Sequence, residues 1–133
     1  MAADREYGAG MKNAAQDRNN RAKGAFYEGV ASEYLRRKGY IISETNFTAR
    51  GGEIDIIAEH NGVTVYCEVK FRSGAGFGDP LEAVDARKRQ RIVKAALYHR
   101  YIRGCPENKP CRFDVIAIYG DGRIKHIENA FEA

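Results

Sequence analysis

The chain has 133 residues, 44% hydrophobic and 30% charged, which is enough for one domain with a real core and too few for two. A net charge of +4 and a pI near 9.0 mildly favour an anionic partner. No apolar run reaches the roughly 20 residues of a membrane span, and Met1 to Glu6 lack the apolar core of a secretory signal, so the cytoplasm is the expected location and a membrane is not expected as a partner.

Residues 1–22 are polar, with almost no large apolar side chains, and read as a flexible tail ahead of a single domain over 23–133. From about Gly24, Phe26, Tyr27, Val30, Ala31, Tyr34 and Leu35 recur at helical spacing, and Gly39 offers a stop. Glu28 sits at the margin of that apolar face. Residues 40–47 alternate as a strand and lead through Gly51-Gly52 into a second one. Asn61-Gly62 is a strong hairpin signal, and the third strand runs to Lys70. Residues 71–78 form a glycine-rich loop.

Asp79-Pro80-Leu81-Glu82 has the composition of a helix start, with Asp79 as N-cap and Pro80 at the first helical position. Val84, Ile92, Val93, Ala96, Leu97 and Tyr101 carry that helix to about Gly104. Residues 113–119 form a nearly continuous apolar strand, and Gly120-Asp121-Gly122 turns into a last strand over 123–128. A strand, a long helix and a buried strand in succession make a crossover with parallel strands. The expected fold is therefore α/β, a mixed central sheet flanked by helices. Cys67, Cys105 and Cys111 lack any C-x-x-C pair and fit reduced thiols.

With a two-residue turn at Asn61-Gly62, His60 pairs with Val63, which sets Asp55 opposite Glu68 and Glu53 opposite Lys70 on one face. Ile57 and Tyr66 share that face; Ile54, Ile56 and Ala58 lie against Val65, Cys67 and Val69 on the other. Opposed acids at about 4.5–5.5 Å between Cβ atoms repel unless a proton or a cation joins them. Two readings fit. One is a solvated charged face with a Glu53–Lys70 pair. The other is a hard divalent cation, Mg²⁺ or Mn²⁺, held by carboxylate oxygens, with Lys70 either neutralising a phosphate or accepting a proton.

The residues Asp55 and Glu68-Val69-Lys70 resemble the PD-(D/E)-x-K signature of the restriction-endonuclease-like nucleases, a superfamily that includes Holliday junction resolvases. More closely, "FYEGVASEYL", "NFTARGGEIDIIA", "VYCEVKFR" and "FGDPLEAVDARKRQRIVKAA" resemble the YraN-like family of bacterial proteins. The resemblance implies a restriction-endonuclease-like fold ordered as helix, three-strand meander, helix and two strands. It implies metal binding by Asp55 and Glu68, an outer metal contact from Glu28, and Lys70 as the catalytic lysine. It places Lys88 and Gln90 of the second helix towards the site. The proline of the "PD" element is absent, Ile54 standing in its place. Enzymes of this kind pair two sites across a homodimer to cut two strands, though no dimer seam can be named here.

Arg87, Arg91 and Lys94 fall on one stripe of the second helix, which serves as a solvated surface or as a phosphate track. Arg72 and the glycine loop could close over a substrate. Phe26, Tyr27, Tyr34 and Tyr101 are expected in the core rather than as base-stacking platforms. The three histidines have no ligand spacing. Asp114 is either a buried anchor or a partner of the basic helix. The function expected is a metal-dependent endonuclease hydrolysing phosphodiester bonds in nucleic acid, DNA and branched forms of it in particular. The main alternative is a catalytically silent nucleic-acid-binding module of the same fold. Glycoside hydrolysis, which can also use opposed carboxylates, leaves Lys70 and the basic helix without a role.

Overall fold

The computed structural model describes residues 3–73 and 84–133, with side chains from residue 18 onward. Seven elements follow in chain order: α1 (Ala3–Arg37), β1 (Ile41–Ala49), β2 (Gly52–His60), β3 (Val63–Arg72), α2 (Ala86–Ile102), β4 (Cys111–Tyr119) and β5 (Ile124–Phe131). The sheet order is β1-β2-β3-β4-β5. Only β3 and β4 are parallel, as the crossover through α2 requires. This is an α/β fold with a five-stranded mixed sheet and a helix on each side.

Local chemistry accounts for most boundaries. Gly39, at φ 89°, lets the chain leave α1, and the Tyr40 N–H donates back to the Leu35 carbonyl across it. Asn61 and Gly62 both take positive φ, the twist that a two-residue hairpin needs. Other ends differ from the sequence reading. α1 extends back to Ala3 through residues expected to form a tail. β3 continues through Phe71 and Arg72, which pair with Ile118 and Tyr119 of β4 instead of opening the glycine loop. The Asp79–Glu82 helix start lies outside the described residues. In the described part α2 begins at Ala86, capped by Asp85, whose carboxylate accepts the Lys88 N–H; Val84 precedes the helix as a core residue. β5 runs on to Phe131, which stacks on Phe113.

Two apolar layers sandwich the sheet. Ala31, Leu35, Tyr40, Ile56, Ala58, Val65, Cys67, Ile116 and Ile118 form the layer that includes α1. The layer that includes α2 contains Phe47, Ile54, Ile57, Tyr66, Ile92, Ala95, Ala96, Phe113 and Val115. Ile54 was expected beside Ile56 but joins Ile57 in the α2 layer, so the alternation of β2 breaks around Asp55. The break adjoins an irregularity in the neighbouring strand, where Asn46 takes φ 53° one residue before Phe47, the partner of Ile54.

The aromatic expectations divide. Tyr27 and Tyr34 pack against the α1 layer, whereas Phe26 is 64% exposed and Tyr101 82% exposed. In α2 the buried face is Ile92, Ala95, Ala96 and His99. A polar residue takes the place in the core that Leu97 and Tyr101 were expected to hold, because the His99 ring is fully engaged. Its Nδ1 meets the Tyr66 hydroxyl at 3.1 Å and its Nε2 meets Glu44 at 2.6 Å. Arg103 also donates to Glu44, and the Arg103 and His99 hydrogen bonds hold that carboxyl down at about 2 against the effect of burial. Asp114 is a buried anchor: it accepts from Arg112 Nε, from His126 Nε2 and from the Asn129 N–H.

Candidate functional site

The β2–β3 ladder keeps the register set by the turn, from His60 opposite Val63 to Ile56 opposite Cys67. Beyond that pair a side chain takes over from the backbone. Asp55 Oδ2 accepts the Val69 N–H at 2.8 Å. This bond orients the Asp55 carboxylate across the gap between the strands, where Glu68 is the next residue. The Glu53–Lys70 pair does not form part of this arrangement. Lys70 Nζ instead lies 4.0 Å from Glu68 Oε1, and Lys88 Nζ reaches the same oxygen from α2 at 3.3 Å.

Asp55, Glu68 and Lys88 line a cleft of about 410 Å³ between β2, β3 and α2, with Gly51, Gly52, Glu53, Arg91 and Ile92 as its other walls; Lys70 is not part of the wall. Gly52 sets its width. A Cβ at that position would stand 2.3 Å from the Arg91 carbonyl oxygen, so α2 approaches β2 as closely as it does only because residue 52 has no side chain.

The electrostatics are those of charges drawn partly out of water. Glu68 is only 6% exposed. Burial first, then the adjacent Asp55 charge and a hydrogen bond shared with it, push its carboxyl up to about 8, against the pull of Lys88 and Lys70. Lys70 is lowered from the usual lysine value, by burial and then by the Lys88 amine beside it. Lys88 moves the other way: burial opposes its charge, but Lys70 and Glu68 together raise it. The pair of amines thus separates into one that gives up its proton more readily and one that keeps it.

Glu28 approaches from the opposite face. With Asp55, Lys23, Tyr27, Val69 and Phe71 it lines a separate hollow of about 240 Å³, of which Asp55 forms a shared wall. Asn46 donates to Glu28 Oε1 at 2.7 Å. Burial and then the Asp55 charge raise the Glu28 carboxyl, while the Asn46 bond lowers it. Among the described residues no three His, Cys, Asp or Glu side chains converge tightly enough to hold a metal together.

The remaining candidates disperse. Arg91 lines the cleft and Arg87 is exposed one turn before it. Gln90 and Lys94 do not face the cleft; they line another hollow with Arg89, Val93 and Glu132. Arg72, half-buried at the end of β3, has a buried Nε that meets no acceptor among the described residues. Two positioning residues carry little mark in the sequence. Gly52 reads there as part of the loop into β2, and only the structure shows that α2 passes against it. Asn46 reads as an ordinary strand position, its left-handed backbone having no mark beyond the tolerance of asparagine for it.

Comparison with known proteins places this geometry in a family. The model of "Uncharacterised protein family UPF0102" matches residues 27–118. A UPF0102 protein of Clostridioides difficile is 46% identical over 114 residues, covering 85% of this chain and 99% of that protein. The chain belongs to the UPF0102 (YraN) family. Other UPF0102 proteins are similar over nearly their whole length: one of Lachnoclostridium phytofermentans is 41% identical over 86% of this chain and 97% of its own, and one of Pectobacterium carotovorum is 44% identical over 85% and 96%. The UPF0102 match begins at Tyr27 and ends at Ile118, so it takes in Glu28, Asp55, Glu68, Lys70 and all of α2. No helix among the described residues is long and apolar enough to cross a membrane.

Proposed function

We propose that this UPF0102 protein is a metal-dependent endonuclease that hydrolyses phosphodiester bonds in DNA, branched forms included. The observation that carries the reading is the pairing of Asp55 with a buried Glu68 in a cleft that Lys88 also lines, with Lys70 within 4.0 Å of the same Glu68 oxygen. The donor set fits Mg²⁺ or Mn²⁺. Two adjacent carboxylates that repel each other in the metal-free protein are relieved by a divalent cation, and Mg²⁺ takes few protein ligands because it keeps several waters and binds phosphate oxygens. Such an ion supplies Lewis-acid polarisation of a phosphoryl oxygen and acidifies bound water.

The chain's own groups divide the rest of the work. Asp55 and Glu68 would hold the ion, with the Val69 N–H fixing the orientation of Asp55. Glu28 adds an outer contact through the hollow it shares with Asp55. Lys70, with its depressed pKa, orients the attacking water and takes its proton. Lys88, which stays charged, neutralises the phosphate, and Arg91 at the cleft wall contacts the neighbouring backbone. Arg87, exposed one turn before Arg91, extends the positive surface of α2, and Arg72 at the end of β3 adds a half-buried cation.

A second reading, a silent nucleic-acid-binding module, is favoured by one feature: ammonium groups at 3.3 and 4.0 Å from Glu68 already stand where a metal cation would. One assay separates the two. Forked, nicked and four-way DNA are incubated with the protein and Mg²⁺ or Mn²⁺. Cutting that requires the metal and falls about 10²–10⁴-fold in Asp55→Asn and Lys70→Ala supports the enzyme. Binding of all three substrates with no cutting under either metal supports the module and ends the nuclease reading.

A further inference from the structure

The outer surface of α2 carries a stripe that begins at the cleft and runs on beyond it. Arg87, Arg91, Lys94, Tyr98 and Tyr101 follow one another at intervals of four, three, four and three residues, which keeps them on a narrow arc of the helix. All five are exposed, Tyr98 by 49% and Tyr101 by 82%. The first three are cations and the last two are aromatic. The stripe starts at the cleft, since Arg91 is one of its walls. Tyr98 also lines a separate hollow of about 610 Å³ with Thr48, Ala49 and Arg50, the residue before Gly51 of the cleft wall. Arg50 adds a further exposed cation there.

Contiguous exposed apolar surface, here Leu97, Tyr98, Tyr101 and Ile102, marks a surface that binds something. Charge decides what. A protein partner would ask for an apolar face with a polar rim, whereas here cations lie in line with the rings along about 21 Å of helix. Duplex DNA offers phosphates but keeps its bases stacked inside. An unpaired strand offers both, a regular row of negative charges and free base faces that stack on tyrosine whatever their sequence.

We propose that α2 is a docking track for a single-stranded segment of nucleic acid, with Arg91, Lys94 and Arg50 following its phosphates and Tyr98 and Tyr101 stacking its bases. Resting on the nuclease reading, this names the substrate class: DNA in which an unpaired strand leaves the cut site, as in a fork or flap, rather than a continuous duplex.

Binding is measured without cleavage, in EDTA, by fluorescence anisotropy of a labelled oligothymidylate, a blunt duplex and a flap carrying the same duplex. The expected result is a preference for oligothymidylate and flap over blunt duplex. Tyr101→Leu and Tyr98→Leu each weaken the first two by about tenfold and leave the blunt duplex unchanged, while Tyr101→Phe, which keeps the ring, binds as the parent does. Equal affinity for blunt duplex and flap, or leucine variants that bind oligothymidylate as well as the parent, overturns the track. Light scattering tests the other occupant of the face: a dimer of the parent protein that Tyr101→Leu dissociates, with strand binding unaffected, assigns the rings to a second copy and also overturns it. Because no metal and no cutting are involved, the track stands if the protein binds strands but proves not to cleave, and it falls if the protein cleaves blunt duplex without regard to the tyrosines.

Discussion

Gly52→Ala puts the cleft to a direct physical test. The added Cβ would lie 2.3 Å from the Arg91 carbonyl oxygen, 3.0 Å from its carbon and 3.4 Å from the Ala95 Cβ. Ordinary contact begins near 3.4 Å, so the oxygen is about 1 Å too close. Neither side can yield cheaply. The oxygen belongs to the backbone of α2 in mid-helix, and Gly52 is paired to Ala49 in the β1–β2 ladder. The helix as a whole must move away from the sheet, loosening Ile92, Ala95 and Ala96 from the core. Forced overpacking of this kind costs about 1–3 kcal/mol, and a backbone obstacle belongs at the upper end, near 3 kcal/mol, which is a drop of roughly 10 °C in Tm for a domain of this size. Gly29→Ala is the control, because a Cβ there meets nothing within 4 Å and replaces glycine inside α1, a gain of about 0.5–1 kcal/mol. Urea denaturation of both variants measures the difference. If Gly52→Ala lies within about 0.5 kcal/mol of the parent, the level at which ordinary surface changes fall, the close approach that shapes the cleft is wrong.

Two further outcomes follow from the buried charges. The Glu68 carboxyl, held up at about 8, keeps its proton in the folded chain over a range where the unfolded chain has lost it; its own contribution to the stability of the metal-free protein is therefore fully present below the ordinary carboxyl range and is lost as the pH rises towards 8. Glu68→Gln removes that slope, which urea midpoints in EDTA between about pH 5 and about pH 9 would reveal as a flatter profile than the parent's. Asp114→Asn leaves the Arg112 guanidinium without its buried counter-charge and costs about 3–5 kcal/mol in the same denaturation experiment, with no change expected in the position of the cleft residues.

What could be read from the sequence follows the range of the interactions involved. The hairpin at Asn61-Gly62 was legible because a two-residue turn and a period of two leave one register, which holds as far as Ile56 opposite Cys67; beyond it the Asp55 side chain, bonded to the Val69 N–H, sets how the two acids meet. The stop at Gly39 and the parallel pairing of β3 with β4 were legible for similarly local reasons. Ile54 was not. Its placement depends on a left-handed Asn46 in the neighbouring strand, and alternation within β2 alone points it to the wrong layer. The contact of Lys88 with Glu68 depends on how far α2 comes down on the sheet, which Gly52 decides from a third element. Leu97 and Tyr101 misled for a related reason. Hydropathy favours them over His99, but Tyr66 and Glu44, distant in the chain, satisfy both nitrogens of His99 and make its burial tolerable.

Among the described residues the two buried acids, Glu68 and Asp114, are shifted in opposite directions, and the difference bears on function. At Asp114, burial raises the carboxyl, but the hydrogen bonds from His126, Arg112 and the Asn129 N–H outweigh it and leave the group below its usual value. Its lone pairs are spoken for, as expected of a structural anchor. At Glu68 the balance runs the other way: burial and Asp55 outweigh both lysines, and the carboxyl is held above its usual value. Stability alone gives no reason to keep such a group, since apolar residues of similar volume fill buried ionic sites at little or no loss. Two acids set side by side at the mouth of a cleft, uncomfortable without a cation and flanked by amines with opposed proton affinities, are better explained as a site awaiting a ligand. That contrast, rather than the charge of the cleft by itself, is what separates a catalytic reading of β2 and β3 from a merely solvated one.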